Sequence, residues 1–409
     1  MRFQPIFIAT LIATALIVSA LVINSQRPVA QINQPSAAHI SASGKCAACH
    51  LNETAAVVHE FELSRHAAVG ISCLDCHQPA EGQTSEDHNG FTISTDLTSK
   101  NCAACHATEY EQFLRSRHAA PSMAAVTGTA GFSPEQIAYA EKYHPGMVDR
   151  PANGLSMLEG PSSINVGCVK CHQIGAPNTD GSIGSCTECH SRHNSSVKLA
   201  RQPETCGQCH MGPDHSQLEI YHESKHGVLF NDQKDQMNLH ADPKTLTTAD
   251  MPIPTCATCH MSGLNGSGVT HDTTERLSWL LYAPVSAKRA GYQQGQDAMQ
   301  AVCLECHSSG TVDRFYTEAE SVVTSVNEKV KKALDMIKGA RDEGLLTPEP
   351  FDEELDFLEF DIWHYYGRTA KHGAFMGGAD FVQWHGNYEL LHYQVKIEKA
   401  IKELREEKQ

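Results

Sequence analysis

The chain has 409 residues, enough to bury a large core, yet only 7% of them are aromatic. Acidic residues outnumber basic ones by 48 to 32, which gives a formal net charge of −16. Because like charges repel, this balance disfavours binding to nucleic acid and to anionic membrane surfaces. We therefore expect no nucleic-acid partner.

An apolar run of 18 residues stands near the N-terminus, at 6–23, shortly after Arg2. Its length lies between that of a secretory signal and that of a short membrane-spanning helix. VSA at 18–20 is a candidate cleavage site, although the apolar run continues past it. We expect residues 1–30 to act as a signal peptide or as an N-terminal anchor in the inner membrane. Both routes place the rest of the chain in the periplasm, after a polar linker at 24–44.

Every one of the 16 cysteines lies in a C-x-x-C-H motif, and the motif occurs eight times. This spacing attaches c-type haem, because two thioether bonds fix the porphyrin and the adjacent histidine becomes the proximal iron ligand. Zinc sites use paired C-x-x-C units, but they do not require a histidine after each one. A disulfide framework would leave cysteines outside the motif. The sequence therefore predicts eight covalently bound c-type haems in an octahaem-binding domain at 31–310.

The eight motifs stand at 46–50, 73–77, 102–106, 168–172, 186–190, 206–210, 256–260 and 303–307. The predicted thioether bonds come from Cys46, Cys49, Cys73, Cys76, Cys102, Cys105, Cys168, Cys171, Cys186, Cys189, Cys206, Cys209, Cys256, Cys259, Cys303 and Cys306. The predicted proximal ligands are His50, His77, His106, His172, His190, His210, His260 and His307.

The composition changes after residue 310, where cysteines end and helical periodicity begins. Apolar residues recur every three or four positions from Val322 to Ile337, and GLLTPEP at 344–350 ends this helix. Further helices are predicted over 351–372 and about 379–407. The predicted fold is mainly α: a loop-rich, haem-packed domain followed by a C-terminal helical domain at 311–409, with few or no strands. This bundle could brace the haem domain or assemble subunits, and the sequence leaves both open.

A repeated frame indicates distal iron ligands. F-x-x-S-R-H-A-A occurs at 61–68 and 113–120, a related aromatic-x-x-S-K-H at 221–226, and SRH at 191–193. The frame predicts four distal ligands, although each could instead be a surface histidine: His66, His118, His193 and His226. Of 24 histidines eight are proximal, which leaves 16 for eight sixth positions. Counting alone therefore does not locate an open iron.

Two segments resemble the octahaem hydroxylamine oxidoreductase family. They are CHMGPDHSQLEIYHESKHG at 209–227 and HGAFMGGADFVQWHGNYEL at 372–390. The resemblance implies seven bis-histidine haems that carry electrons. It also implies that the haem of the fourth motif, held by Cys168, Cys171 and His172, keeps an open distal side for a nitrogenous substrate.

An Asp-His pair after the sixth motif lines that pocket in the family, and it matches Asp214 and His215. Multi-electron nitrogen chemistry also consumes protons, which a histidine beside a carboxylate can supply near neutral pH. Without the resemblance, the same residues read as a Pro-Asp turn with a surface histidine. The predicted catalytic residues are therefore Asp214, His215 and His172.

The same family resemblance adds three candidate distal iron ligands, His88, His271 and His385, with His372 in reserve. The remaining non-motif histidines are predicted to be structural: His39, His59, His144, His222, His240, His364 and His392.

The predicted direction of catalysis depends on one position. Oxidising family members carry a tyrosine from a neighbouring subunit that is bonded to the catalytic haem. This chain has Phe381 in ADFVQWHG where that tyrosine is expected, which predicts a reductive member without the cross-link. Four nearby tyrosines are alternative counterparts: Tyr365, Tyr366, Tyr388 and Tyr393.

Three functions follow from these observations. The first is a periplasmic enzyme that reduces nitrite or hydroxylamine to ammonium. The others are a hydroxylamine oxidoreductase working in the oxidative direction and a non-catalytic multihaem electron conduit. Octahaem nitrite reductases of another type use C-x-x-C-K at the active haem, and that motif is missing here. The resemblance implies a homotrimer, and a cytochrome or a quinol-linked membrane cytochrome is the expected redox partner.

Overall fold

The computed structural model describes residues 44–408. The apolar run at 6–23 and His39 lie outside this range. Residues 44–70 form one compact unit and residues 71–408 form a second. Among the described helices, none combines the length and the apolar character needed to cross a membrane.

The first unit consists of short helices around the first motif. They are α1 (Gly44–Glu53), α2 (Ala55–Glu62) and α3 (Arg65–Ala68). Ser64 begins α3 as its N-cap, because its hydroxyl accepts a hydrogen bond from the backbone N–H of Ala67 at 3.0 Å. This cap places His66 in the first turn of the helix.

The second unit begins with short helices, long connections and one antiparallel hairpin. The hairpin pairs β1 (Glu86–His88) with β2 (Phe91–Ile93), with Glu86 opposite Ile93. The helices are α4 (Cys73–His77), α5 (Ser99–Ala103), α6 (Ala107–Arg115), α7 (Ala120–Thr127), α8 (Pro134–Tyr143), α9 (Gly154–Val166), α10 (Cys168–His172), α11 (Val197–Ala200), α12 (Pro203–Gly207), α13 (Gln217–Glu223), α14 (Lys225–Gln233), α15 (Cys256–His260) and α16 (Tyr292–Leu304). Single 3₁₀ turns cover Gln173–Gly175, Cys186–Glu188, Lys234–Gln236 and Leu264–Gly266.

Three motifs are themselves one-turn helices, α4, α10 and α15. Residues three apart on a helix lie on the same face, so the two cysteines of such a motif point to one side. The turn that follows carries the histidine next to them. Local helix geometry therefore builds the haem attachment site from five consecutive residues.

The C-terminal part is formed by long helices, as predicted. They are α17 (Ser309–Asp342), α18 (Glu354–Asp361), α19 (Arg368–Met376), α20 (Ala379–Val382) and α21 (Glu389–Glu407), with π-helical turns at Ile362–Gly367 and Gln383–Tyr388. The periodic apolar face of α17 is fully buried at Val326, Val330 and Ile337. It packs against Leu390 and Ile397 of the last helix segment. Each such buried side chain contributes about 1.5–3 kcal/mol to the free energy of folding.

The predicted second helix runs to Met376 rather than to residue 372. Gly377 ends it in the left-handed conformation at φ +75°, which favours glycine. The mainly α fold class is confirmed. The helix α19 also packs on the residues before α13, where the Thr369 hydroxyl donates to the Pro213 carbonyl at 3.1 Å. The motif-bearing residues from Ile71 onward and the C-terminal helices therefore belong to the same compact unit.

Candidate functional site

Four motif histidines face a second histidine ring. The ring centroids are 6.4 Å apart for His77 and His193, 5.7 Å for His210 and His118, 6.3 Å for His190 and His271, and 5.9 Å for His307 and His226. Two imidazoles that bind one metal ion from opposite sides, at about 2 Å each, hold their nitrogens about 4 Å apart. The Nε2 atoms of His118 and His210 are 3.5 Å apart. These pairs fit bis-histidine haem ligation.

Hydrogen bonds orient the rings of two motif histidines. The Nδ1 atom of His77 lies 2.8 Å from the Ser94 carbonyl, and that of His172 lies 2.6 Å from the Ser122 carbonyl. A carbonyl only accepts, so in each ring Nδ1 carries the proton. The lone pair of Nε2 is then free to bind iron.

The four pairs contain four predicted distal ligands, His118, His193, His226 and His271. Of the other three, His66 lies in α3 and His88 ends β1. The His385 ring lies 2.7 Å from the Asp380 carboxylate, and its side chain is 61% exposed. Within residues 44–408 no ring contact joins His385 to a motif histidine. The distal role of His66, His88 and His385 stays a prediction.

Apolar side chains next to the motifs are open to solvent in the polypeptide. Val166 is 75% exposed, Met211 54% and Leu304 48%, although each stands within two residues of a motif. None of the 16 cysteines is paired in a disulfide bond, so all are available for thioether bonds. A porphyrin covalently bound at each motif would cover this apolar surface, so the residues present fit the group.

Three pairs of motifs bring cysteines of different haem sites together. The thiols that lie close enough for one to act on the pKa of the other are those of Cys102 and Cys186, Cys206 and Cys256, and Cys171 and Cys209. These neighbours place the third motif near the fifth, the sixth near the seventh, and the fourth near the sixth, where the Cys171 thiol also lies 3.8 Å from the Gln208 carbonyl. Haems bound at these motifs would be close enough for electron transfer between them.

The fourth motif is surrounded by ionisable side chains from distant parts of the sequence. Burial lowers the pKa of His172, and its neighbours act on the same group. Asp214 raises this pKa, whereas His215 and Arg368 lower it. Asp214 also acts on the thiol of Cys168, whose pKa is raised first by burial. The Asp-His pair thus lies within electrostatic range of the fourth motif, and the His215 ring also lies 6.2 Å from the ring of His210 in the sixth motif.

Asp214 and His215 contact each other directly. The Oδ2 atom of Asp214 lies 2.5 Å from Nδ1 of His215. Burial by itself would raise the pKa of Asp214, but the hydrogen bond from His215 holds it below its usual value. The carboxylate thus stays ionised and fixes the tautomer of His215 that leaves Nε2 unprotonated.

No second histidine ring contacts His172 in the part of the chain that the structure describes, and the same holds for His260. His172 alone of these two has the Asp-His pair as a neighbour. This arrangement is compatible with an open coordination position at the fourth motif.

Two residues of this site were missed from the sequence. His364 was predicted to be structural, yet its Nδ1 lies 4.0 Å from Oδ2 of Asp214. Arg368 donates to Nε2 of His364 at 3.1 Å. Both lie inside the helix predicted over 351–372, but a π-helical turn at Ile362–Gly367 sets their direction, and regular helical periodicity gives no signal for it.

His372, the reserve ligand, is also buried near this site. Its Nδ1 lies 3.2 Å from the Gln217 amide nitrogen, and Gln217 in turn lies 3.3 Å from Nδ1 of His210. Burial lowers the pKa of His372 to about 3. The predicted structural histidines His144 and His222 contact the Leu114 carbonyl and the Asn231 amide respectively.

A protein-family model described as "Seven times multi-haem cytochrome CxxCH" matches residues 69–351. The chain belongs to this family. Seven motifs of this multihaem cytochrome, from Cys73 to His307, fall inside the matched range, and the motif at 46–50 precedes it. Membership establishes covalently bound c-type haems as its cofactors.

Similar proteins extend this result. A probable nitrite reductase-hydroxylamine oxidoreductase fusion protein of Kuenenia stuttgartiensis is 30% identical over 249 residues, which cover 53% of this multihaem cytochrome. The aligned part is only 25% of that protein's length.

Two solved structures share the fold. A hypothetical multiheme protein has a TM-score of 0.77 at 21% identity, over 94% of this chain and 98% of its own. A reducing HAO-like protein complex of Kuenenia stuttgartiensis has a TM-score of 0.68 at 18% identity, over 90% and 87% respectively.

Proposed function

We propose that this multihaem cytochrome is an octahaem enzyme of the hydroxylamine oxidoreductase type that reduces nitrite or hydroxylamine to ammonium in the periplasm. The observation that carries the proposal is the hydrogen-bonded Asp214–His215 pair beside the fourth motif. A conduit that only passes electrons has no use for a proton-donating pair at one haem.

The residues around the fourth motif handle protons. Reduction of hydroxylamine to ammonium takes two electrons and three protons and releases one water. Cys168, Cys171 and His172 would hold a haem that would supply electrons and a coordination position for the substrate nitrogen. Asp214 holds Nδ1 of His215 at 2.5 Å, so Nε2 of His215 takes protons from solvent and passes them to the substrate.

Two observations favour the reductive direction. One relative is named as a nitrite reductase-hydroxylamine oxidoreductase fusion, and one protein of the same fold belongs to a reducing complex. Phe381, which stands where a cross-linking tyrosine is expected, is buried against the His385 ring. A phenyl ring has no hydroxyl and cannot form the cross-link by that route.

The alternative tyrosines differ in their surroundings. The rings of Tyr366 and Tyr393 pack at a tilt with centroids 4.8 Å apart, and Tyr388 is 50% exposed. Tyr365 is near enough to Asp214 for that carboxylate to help raise its pKa, after burial and Asp361. We propose that Tyr365 stays unbonded, because the family's cross-link comes from a neighbouring subunit.

Electrons reach the fourth motif through its neighbour, the sixth, where Cys171 meets Cys209. We propose a periplasmic cytochrome or a quinol-linked membrane cytochrome as the donor. The chain's apolar segment at 6–23 would either direct export or hold the enzyme at the inner membrane.

We also propose a homotrimer, as the family resemblance implies. Four apolar side chains follow one line on the surface of the last helices: Trp384, Tyr388, Leu391 and Val395, each 50–62% exposed. Their spacing of four, three and four residues is that of a helical contact seam. A second copy of the chain would cover it.

A direct assay tests the proposal. The full-length protein with its haems is given reduced viologen with nitrite or hydroxylamine, and separately hydroxylamine with an oxidised dye. Electron paramagnetic resonance of the oxidised protein shows whether one haem is high-spin. We expect a high-spin ferric signal and ammonium formation.

Three outcomes would contradict the proposal. Only low-spin signals without turnover would indicate a conduit. Fast dye reduction with a red-shifted ferrous band would indicate a cross-linked, oxidative enzyme. A low-spin spectrum that does not change with nitrite would remove the open site at the fourth motif.

A further inference from the structure

His364 and Arg368 extend the Asp214–His215 pair, and the His364 ring lies edge to face with the His215 ring at 6.4 Å between centroids. Oδ2 of Asp214 lies 2.5 Å from Nδ1 of His215 and 4.0 Å from Nδ1 of His364. Nε2 of His364 lies 3.1 Å from a terminal nitrogen of Arg368. Four neighbouring side chains therefore connect a guanidinium to the predicted proton donor, and we refer to them as this line.

The guanidinium decides which nitrogen of His364 carries the proton. An arginine side chain has only donors, so Nε2 of His364 must accept and Nδ1 must hold the hydrogen. Nδ1 is buried and has no hydrogen-bond partner among the described residues, and the nearest carboxylate is that of Asp214. The N–H thus faces Asp214, a little beyond direct hydrogen-bonding distance.

The surrounding structure holds both residues in place. Phe360 stacks on the His364 ring at 4.2 Å, and the Arg368 guanidinium lies over the Trp363 ring at 5.0 Å. Nε of Arg368 donates to the Tyr282 carbonyl at 3.1 Å. Burial lowers the pKa of His364 to about 3, in keeping with a neutral imidazole.

We propose that His364 and Arg368 are positioning residues for proton delivery: Arg368 fixes the neutral tautomer of His364, whose Nδ1–H helps to hold the Asp214 carboxylate toward His215. The inference rests on the proposed function at the fourth motif. It adds two residues that act through Asp214.

Paired variants separate hydrogen bonding from packing and charge. His364→Gln keeps an acceptor for Arg368 and a donor for Asp214, whereas His364→Phe keeps only the ring shape. Arg368→Gln keeps a donor without charge, Arg368→Lys keeps donor and charge, and Arg368→Met keeps neither. His222→Gln, which changes a histidine away from this line, is the control.

We expect His364→Phe and Arg368→Met to lower kcat for hydroxylamine between about tenfold and a hundredfold, with KM nearly unchanged. The Gln variants should stay within about threefold of the wild type. In His364→Phe and Arg368→Met the ionised form of the Asp214 carboxylate is less stabilised. The acid limb of the pH–kcat profile should therefore move to higher pH.

Two measurements without turnover complete the test. The high-spin signal and the dissociation constant of nitrite for the oxidised protein should not change in any variant. If nitrite binding instead weakens in both Arg368→Gln and Arg368→Met but not in Arg368→Lys, Arg368 binds the anion and the inference is wrong. The inference would also be wrong if His364→Phe kept the kcat and the acid limb of the wild type. An inactive wild type without a high-spin signal would overturn the proposed function itself, and this inference with it.

Discussion

At the scale of single residues, Asp214 is the central group of the candidate site. Its Oδ2 atom has two imidazoles near it, His215 at 2.5 Å and His364 at 4.0 Å. A buried carboxylate in such a place is costly unless it is paired. Because Asp214 pairs with His215, its carboxylate sets the tautomer of that histidine and does not serve to fill space in the core.

We expect Asp214→Asn and His215→Ala each to lower the rate of hydroxylamine reduction by about a hundredfold or more, because general acid–base catalysis contributes on that scale. Haem content, measured by pyridine haemochrome, should stay at the wild-type value. The control is His392→Ala, because His392 is an exposed histidine that is paired with a carboxylate, that of Glu389. Near-normal rates in both site variants would remove the pair from the mechanism.

The facing rings of His118 and His210 allow a test of axial ligation. With their Nε2 atoms 3.5 Å apart, one iron can bind both. We expect His118→Ala to convert one low-spin haem to high-spin, seen as a gain of high-spin ferric signal over the wild type. His222→Ala should leave the spectrum unchanged, and an unchanged spectrum in His118→Ala would show that His118 is not a ligand.

Asp180 predicts a dependence of stability on pH. Its burial opposes ionisation, but hydrogen bonds from Ser182, Thr98 and Gln83 bring its pKa below the ordinary value of 3.8. A lowered folded-state pKa stabilises the fold above pH 3.8, and this contribution is lost as the pH falls through the folded pKa. We expect Asp180→Asn to reduce the free energy of unfolding at pH 7 by about 1–2 kcal/mol.

The difference between the two proteins should shrink toward pH 3, as measured by denaturant midpoints. Asp87→Asn, in the exposed hairpin, should behave like the wild type at both values. A difference for Asp180→Asn that is equal at both pH values would exclude the ionised carboxylate as its cause.

At the scale of elements, the π-helical turns matter most. One covers Ile362–Gly367 and carries His364, and the other covers Gln383–Tyr388 and carries His385. An inserted residue in a helix rotates the side chains that follow it relative to those before. This rotation lets one helical segment present Ile362 to the core and His364 to Asp214.

Close backbone contact at Gly175 connects the fourth motif to the segment that carries His118. A Cβ atom on Gly175 would lie 1.9 Å from the Ala119 carbonyl oxygen, and 2.7 Å from that of His118. We expect Gly175→Ala to lower the free energy of unfolding by about 1–3 kcal/mol, because the backbone must move apart. Thermal unfolding of the haem-loaded protein measures this.

Gly154→Ala is the matched control, since no atom lies within 4 Å of a Cβ atom there. It should be neutral or slightly stabilising at the start of α9. Equal stability of the two variants would mean that the contact at Gly175 relaxes freely.

At the scale of the whole molecule, the apolar line from Trp384 to Val395 predicts association of copies. We expect Leu391→Glu to shift the molar mass in solution from a trimer toward a monomer, because a carboxylate in a dry seam has no partner. Multi-angle light scattering of the haem-loaded protein measures the mass. Val148→Glu changes an equally exposed residue off this line and should leave the mass as it is. A wild-type monomer would end the trimer proposal.

The proximity of particular C-x-x-C-H motifs indicates how the haem sites are arranged in the molecule. The fourth motif meets the sixth through Cys171 and Cys209, and the sixth meets the seventh through Cys206 and Cys256. The sixth motif therefore lies between the candidate site and other haems. In the proposed function, electrons that reach the fourth motif by this route would pass the haem held between His118 and His210.

The sequence by itself determined the features that depend on neighbours along the chain. Haem attachment needs five consecutive residues on one turn, so all eight motifs were readable. The long helices α17 and α21 were predicted because their apolar faces repeat every three or four residues. The Asp-His pair was found through its resemblance to a family segment, since two adjacent residues carry no periodic signal.

The tertiary structure alone decided which distant residues meet. The pairing of His193 with His77 and of His226 with His307 depends on the path of the chain between them. His364 and Arg368 reach Asp214 because a π-helical turn redirects one helix and α19 packs beside Pro213. Such contacts join segments far apart in sequence, and their geometry is set by packing of the whole core, which no local pattern encodes.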